Sequence, residues 1–152
     1  MSFIRFSMSE HLPYGCFSWR DDLDTFSADY IKEISATADI GYFLEVDLHY
    51  DESLHRHHND YPLVPTKRNI TSNDLSEYQI NLANKLNIKI HEKGHNKLVQ
   101  TLHHKNRVTL HYRSLQQYLS LGLRLTKVHR VLQFKQRAWL KPYIDLCTKV
   151  HT

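Results

Sequence analysis

Three groups of residues have the types and spacing for chemistry. His91-Glu92-Lys93-Gly94-His95 matches the pattern H-E-x-x-H, in which two imidazoles one helical turn apart bind zinc and the glutamate polarises a water. That arrangement needs a helix, whereas the pattern follows Asn87-Ile88-Lys89-Ile90 and contains Gly94, which favours a strand end and loop over a metalloenzyme site. Glu45, Asp47 and His49 alternate along GYFLEVDLHY and would share one face of a strand, where they could hold a divalent ion. A polar strand face, or a partner for an arginine such as Arg130, is the simpler expectation. His55, His57 and His58 flank Arg56, but the chain has 12 histidines, so clustering by chance is expected, and no further ligand stands at suitable spacing. With 4 glycines and no nucleophile motif or phosphate-cradling loop, these residues predict no catalytic group and no metal site of their own.

The charge points to binding instead. The formal net charge is +4, yet residues 1–66 carry 4 Lys/Arg against 12 Asp/Glu, and residues 67–152 carry 16 against 4. A basic half of this kind suits a polyanion. The alternative is a solvated basic face; aromatic and amide side chains interleaved with the cations favour nucleic acid. The candidate contacts are Arg107, Arg113, Lys127, Arg130, Lys135, Arg137 and Lys141.

Alternating helices and strands are expected to position these groups. Phe26, Tyr30, Ile31 and Ile34 recur at helical spacing after Asp24 and Thr25, predicting a helix over 26–35. Gly41 opens a strand to Tyr50 with Tyr42, Leu44, Val46, Leu48 and Tyr50 on its apolar side. Pro62 and Pro65 mark an extended connection, and Leu75, Tyr78, Leu82 and Leu86 after Thr71 and Asn73 predict a second helix. Residues 97–103 and 107–112 read as a hairpin turning at Lys105 and Asn106. Ser114 and Gln117 form a capping-box pattern before the stripe Leu115, Tyr118 and Leu119, and Gly122 suits the stop. In the following strand, 125–136, strict alternation puts Val128, Arg130, Leu132 and Phe134 on one side. Lys127, His129, Gln133, Lys135 and Arg137 fall on the other as a basic ribbon. Leu140, Tyr143, Ile144 and Cys147 predict a last helix, with Pro142 in its first turn.

The length of 152 residues fits one modest domain. Cys16 and Cys147 belong to no ligand-spaced cluster and suggest a reducing, intracellular setting. The N-terminus lacks a signal-peptide core, and no stretch is apolar enough to span a bilayer, so a soluble protein without membrane contact is expected.

Three segments carry a family likeness: MSEHLPYGCFSW (8–19), GYFLEVDLHYDESLHRHHNDYPLVP (41–65) and KLVQTLHHKNRVTLHYRSLQQYLSLGLRLTKVHRVLQFKQRAWLKPYIDL (97–146). In residue types and order they resemble protein-primed family B DNA polymerases, particularly those of virus-like mobile elements. The likeness runs over nearly all of residues 8–150, with 66–96 loosely matched. It implies an α+β fold: a partial polymerase palm with mainly antiparallel strands, a helical insertion and the start of a fingers helix. On this plan 1–65 is palm-like, 66–112 is an insertion with a helix and a hairpin, and 113–152 is a palm strand leading to the fingers, all in one folding unit.

The parent activity so implied is DNA-directed DNA polymerisation in DNA replication, with nucleotide binding and two magnesium ions held by aspartates in the complete enzyme. Those aspartates belong to motifs of the type D-x-x-x-L-Y, expected upstream of Met8, and T-D-T-D-S, expected well beyond the fingers motif N-S-x-[YF]-G. None of the three occurs in these residues, so the segment alone is expected to be inactive and without a cofactor. The implied partners are DNA and a priming terminal protein. Cys16 stands where the family usually has glycine, Asp51 where a proline follows, Cys147 where asparagine is usual, and His151 near an arginine that would approach the triphosphate. The alternative is a non-enzymatic nucleic-acid-binding or protein-binding module derived from such a polymerase. Without the strand that carries the first motif, the strand at 42–50 is expected to have an unpaired edge, with order concentrated in the second half of the chain.

Overall fold

The alternation in GYFLEVDLH produces the central strand of the molecule, β2 (Ile40–His49). Its inward set is almost fully buried, with Tyr42 6%, Leu44 0%, Val46 0% and Leu48 1% exposed. The computed structural model describes residues 3–90 and 94–150. Around β2 it builds an α+β fold with a four-stranded antiparallel sheet of order β1-β6-β2-β5, where β1 is Leu12–Arg20, β5 is Lys105–His111 and β6 is Arg124–Arg137. β2 is therefore interior, paired with β6 on one side and β5 on the other. The expected unpaired edge of β2 is corrected, and so is the expected hairpin of residues 97–103 with 107–112. β5 leaves residues 97–103 and pairs with β2, while β4 (His95–Val99) pairs with β3 (Thr66–Ile70). Lys105, expected in a turn, is the 1%-exposed first residue of β5 opposite Leu48. Two apolar strands that compete for one partner cannot be separated by local alternation, and burial against β2 decided the pairing.

Helices cover the Tyr42 face. α2 (Ala28–Glu33) starts at Ser27, whose hydroxyl accepts from the Tyr30 N–H, rather than at Asp24 and Thr25, which lie in a short 3-10 turn. α5 (Tyr112–Ser120) is capped by the His111 ring, which accepts from the Arg113 N–H, not by Ser114. It buries Tyr112, Leu115 and Leu119. Gln116 joins the two helices by donating to the carbonyls of Ile31 and Ile34, satisfying the end of α2 at 2.8 Å each. Gly122, at φ 102, closes α5 in a Schellman turn: its N–H bonds Leu119 O, and the Leu123 N–H bonds Tyr118 O. α1 (Phe3–Ser9) packs with α6 (Lys141–Val150), in whose first turn Pro142 stands as expected.

Residue contacts divide the chain into one unit of Met1–Asp51 with His104–Thr152 and another of Glu52–His103. The second contains α3 (Glu52–His58), the β3–β4 pair and α4 (Glu77–Lys85), which starts at a Ser76/Gln79 capping box rather than at Thr71 or Asn73. Thr71 instead caps a short turn at Ser72–Asp74. Among its described residues only Val64 is buried, so hydrogen bonds and caps hold this unit more than a core does. No helix among the described residues is long and apolar enough to cross a membrane.

Cys16 has φ 55 at an irregular stretch of β1 where the register with β6 shifts. A left-handed conformation strains a side chain with a Cβ. Cys16→Gly should raise stability by about 0.5–1 kcal/mol, read as a higher urea midpoint at unchanged slope. A lowered midpoint would show that the thiol packs better than the backbone suffers.

Candidate nucleic-acid interface

The side of the sheet opposite Tyr42 carries the unusual chemistry. Register places Trp19, Leu132, Phe43 and His111 in one row across all four strands. Phe43 and Phe134 meet at 5.0 Å between ring centroids, Phe17 and Phe134 at 6.0 Å, and Phe43 and His111 at 5.3 Å. The next row is Arg130, Glu45 and Thr109. Together Trp19, Phe43, Glu45, Thr109, Arg130 and Leu132 line a depression of about 210 Å³. Trp19 is 61% and Phe17 57% exposed.

Glu45 organises this face. Arg107 Nε donates to one carboxylate oxygen at 2.8 Å and Arg130 Nε to the other at 2.5 Å, while the Arg130 guanidinium lies 5.4 Å from the Trp19 ring centre. The Arg130 hydrogen bond, and after it the Arg107 bond and the charge of both, hold the Glu45 carboxyl below its ordinary range against partial desolvation. Asp47 is also held low, first by the Arg107 backbone N–H at 2.7 Å and then by His129, whose Nε2 lies 2.8 Å from Oδ2. Both carboxyls are depressed in the fold, so their stabilisation is complete above the ordinary carboxylate range and is lost as pH falls through the folded values.

Magnesium does not fit here. Both Glu45 oxygens are taken by arginines, one Asp47 oxygen accepts from the Arg107 backbone N–H, and the other faces His129 Nε2 at 2.8 Å. The His49 ring is stacked 4.2 Å from His104, whose Nδ1 accepts from the Tyr50 N–H. No cluster of His, Cys, Asp and Glu able to hold a metal ion occurs among the described residues, the α3 histidines included. His91, Glu92 and Lys93 lie outside the described residues, as does His151; His95 opens β4 and is not on a helix.

The structure splits the expected cationic ribbon. β6 shifts register against β2 between Glu45 and Val46 and again between Asp47 and Leu48. Lys127 thereby lies opposite Asp47 and Arg130 opposite Glu45, on the open face, whereas Lys135 lies opposite Ile40 and Gln133 opposite Tyr42, with the other parity. Lys127 thus does not share a face with Lys135 and Arg137. The linear charge split also dissolves. Residues 1–51 with 104–152 carry 13 Lys/Arg and 11 Asp/Glu, and residues 52–103 carry 7 and 5, so each unit is +2. Part of the basic half meets the acidic half of its own chain.

The other candidates are placed separately. Arg113 lies with Lys32, Ser114 and Gln117 around an open depression of about 640 Å³ on α5. Lys141 pairs with Asp145 one turn along α6 at 3.2 Å. The Arg137 guanidinium lies over the Tyr14 ring at 4.9 Å. Lys135 and Lys127 are exposed and make no salt bridge among the described residues. The exposed aromatics beside these cations, Tyr14 at 48% and Trp139 at 47%, were not singled out in the sequence. An unburied Trp between Arg137 and Lys141 was the available signal.

Comparison with protein-family models, with curated proteins and with solved structures gives no match for this chain.

Proposed function

We propose that this chain is a segment of a protein-primed family B DNA-directed DNA polymerase, contributing part of the palm and of the DNA contact surface and no catalytic residue. The reading rests on the family-like segments at 8–19, 41–65 and 97–146. The observation that supports it best is that these separate segments supply the strands of a single sheet: the first gives β1, the second β2, and the third β5 and β6. A palm sheet is required to bring such distant segments together, with helices packed on one of its faces. The parent reaction, deoxynucleotidyl transfer with two metal ions, needs carboxylates free to bind those ions; Glu45 and Asp47 are committed to other partners. The chain by itself should therefore not extend a primer in magnesium or manganese.

Sequencing the transcript that carries these residues tests the parentage. In-frame D-x-x-x-L-Y and T-D-T-D-S motifs on either side support it. Stop codons bounding the 152 residues on both sides would overturn it in favour of a self-sufficient nucleic-acid-binding or protein-binding module. One observation favours that second reading: β2 has both neighbours and a fully covered apolar face within this chain.

A further inference from the structure

We infer that the end of β6 and the turn into α6, with Tyr14 of β1, form a docking surface for single-stranded nucleic acid; this rests on the nucleic-acid reading above. Lys135 pairs with Gly15 and Arg137 with Leu12, so Tyr14 lies between the two register positions that bracket these cations. The Arg137 guanidinium lies 4.9 Å from the Tyr14 ring centre. Stacking uses the flat face of the guanidinium and leaves its N–H edge to receive a phosphate, with the side chain already positioned. Trp139 stands two residues on, its backbone N–H bonded to Arg137 O at 2.9 Å, and the residue is 47% exposed. Lys141 lies two residues further on and pairs with the solvent-exposed Asp145.

An exposed indole that lies between Arg137 and Lys141 in the chain suits an unpaired strand. The phosphates meet Lys135, Arg137 and Lys141 while a base stacks on Trp139. A duplex keeps its bases inside the stack, so it could use the cations but not the indole. Arg107 and Arg130 do not serve this role, because Glu45 already holds them. Lys135 and Arg137 at this edge are exposed and make no salt bridge among the described residues.

The test is fluorescence anisotropy of the full chain with a labelled 12-nucleotide oligothymidine and with a duplex of the same length at low salt. The single strand should bind more tightly than the duplex. Trp139→Ala should weaken single-strand binding by about tenfold and leave duplex binding nearly unchanged, and Trp139→Phe should retain most of the affinity. Arg137→Gln should weaken both ligands. Circular dichroism and the urea midpoint confirm that each variant is folded, and Lys67→Gln, a cation in β3 that is no part of the proposed surface, serves as a charge-matched control. Single-strand affinity that survives Trp139→Ala in a chain that binds DNA would overturn this surface alone. A wild-type chain that binds neither ligand would overturn the surface and the nucleic-acid reading together.

Discussion

Gly41→Val should destabilise the protein by about 3 kcal/mol, the largest loss expected from adding two methyl groups and a Cβ anywhere in the sheet. A Cβ at Gly41 would overlap Phe134 Cε2 and stand 2.7 Å from Phe134 Cζ and 2.6 Å from Gln136 Oε1. None of these atoms can withdraw easily. Phe134 is 0% exposed and held among Phe17, Phe43 and His111. Gln136 is 1% exposed and donates to Tyr112 Oη at 2.8 Å and Ala38 O at 2.9 Å. The glycine is thus needed for close approach of β2 to β6 rather than for an unusual φ. Gly15 supplies the contrast, since a Cβ there meets nothing within 4 Å, and Gly15→Ala should be close to neutral. Urea unfolding of both variants checks the pair. Equal midpoints would mean that the Gly41–Phe134 contact is not the tight junction described above.

Glu45→Gln should tighten nucleic-acid binding although it removes a hydrogen-bonded carboxylate. Arg107 and Arg130 side chains are 63% and 61% exposed, and only their Nε atoms are engaged with Glu45. Removing the negative charge leaves both cations solvated and available to phosphate, so the variant gains up to two neutralising contacts. The slope of log affinity against log salt should steepen by roughly one to two, and affinity at about 0.1 M salt should rise several-fold. Weakened binding with an unchanged fold would mean that the glutamate orients the arginines for the ligand rather than masking them. The same variant should flatten the loss of stability on acidification, because the depressed Glu45 carboxyl no longer contributes to it.

Much of this fold could be read locally. The alternation in GYFLEVDLH identifies a strand and its buried side without help from the rest of the chain. Gly122 marks the stop of α5, and Glu45 was recognisable as a partner for Arg130. The failures share a cause. Whether residues 105–111 turn back on 97–103 or cross to β2 depends on which surface buries more, and a local pattern does not contain that comparison. Register shifts in β6 are invisible in a strict period of two, yet the one between Arg130 and Val128 moves Lys127 to the opposite face from Lys135. Charge was misleading for the same reason: residues far apart in sequence, Glu45 with Arg107 and Arg130, neutralise each other once the sheet brings them together. His111 caps α5 through a ring nitrogen, and burial, with Arg113 adding to it, pushes that imidazole down from its ordinary pKa; propensity-based capping patterns do not anticipate such a cap.

The claim on which the rest depends is that this segment, without catalytic chemistry, holds nucleic acid through phosphate contacts and stacking. A salt series of anisotropy measurements with the wild-type chain and labelled oligothymidine tests it most directly. Weak binding at low salt is expected, with a log–log slope of about −2, as three phosphate contacts at Lys135, Arg137 and Lys141 require for a single strand. Binding that is independent of salt, or absent at every salt concentration, would contradict it.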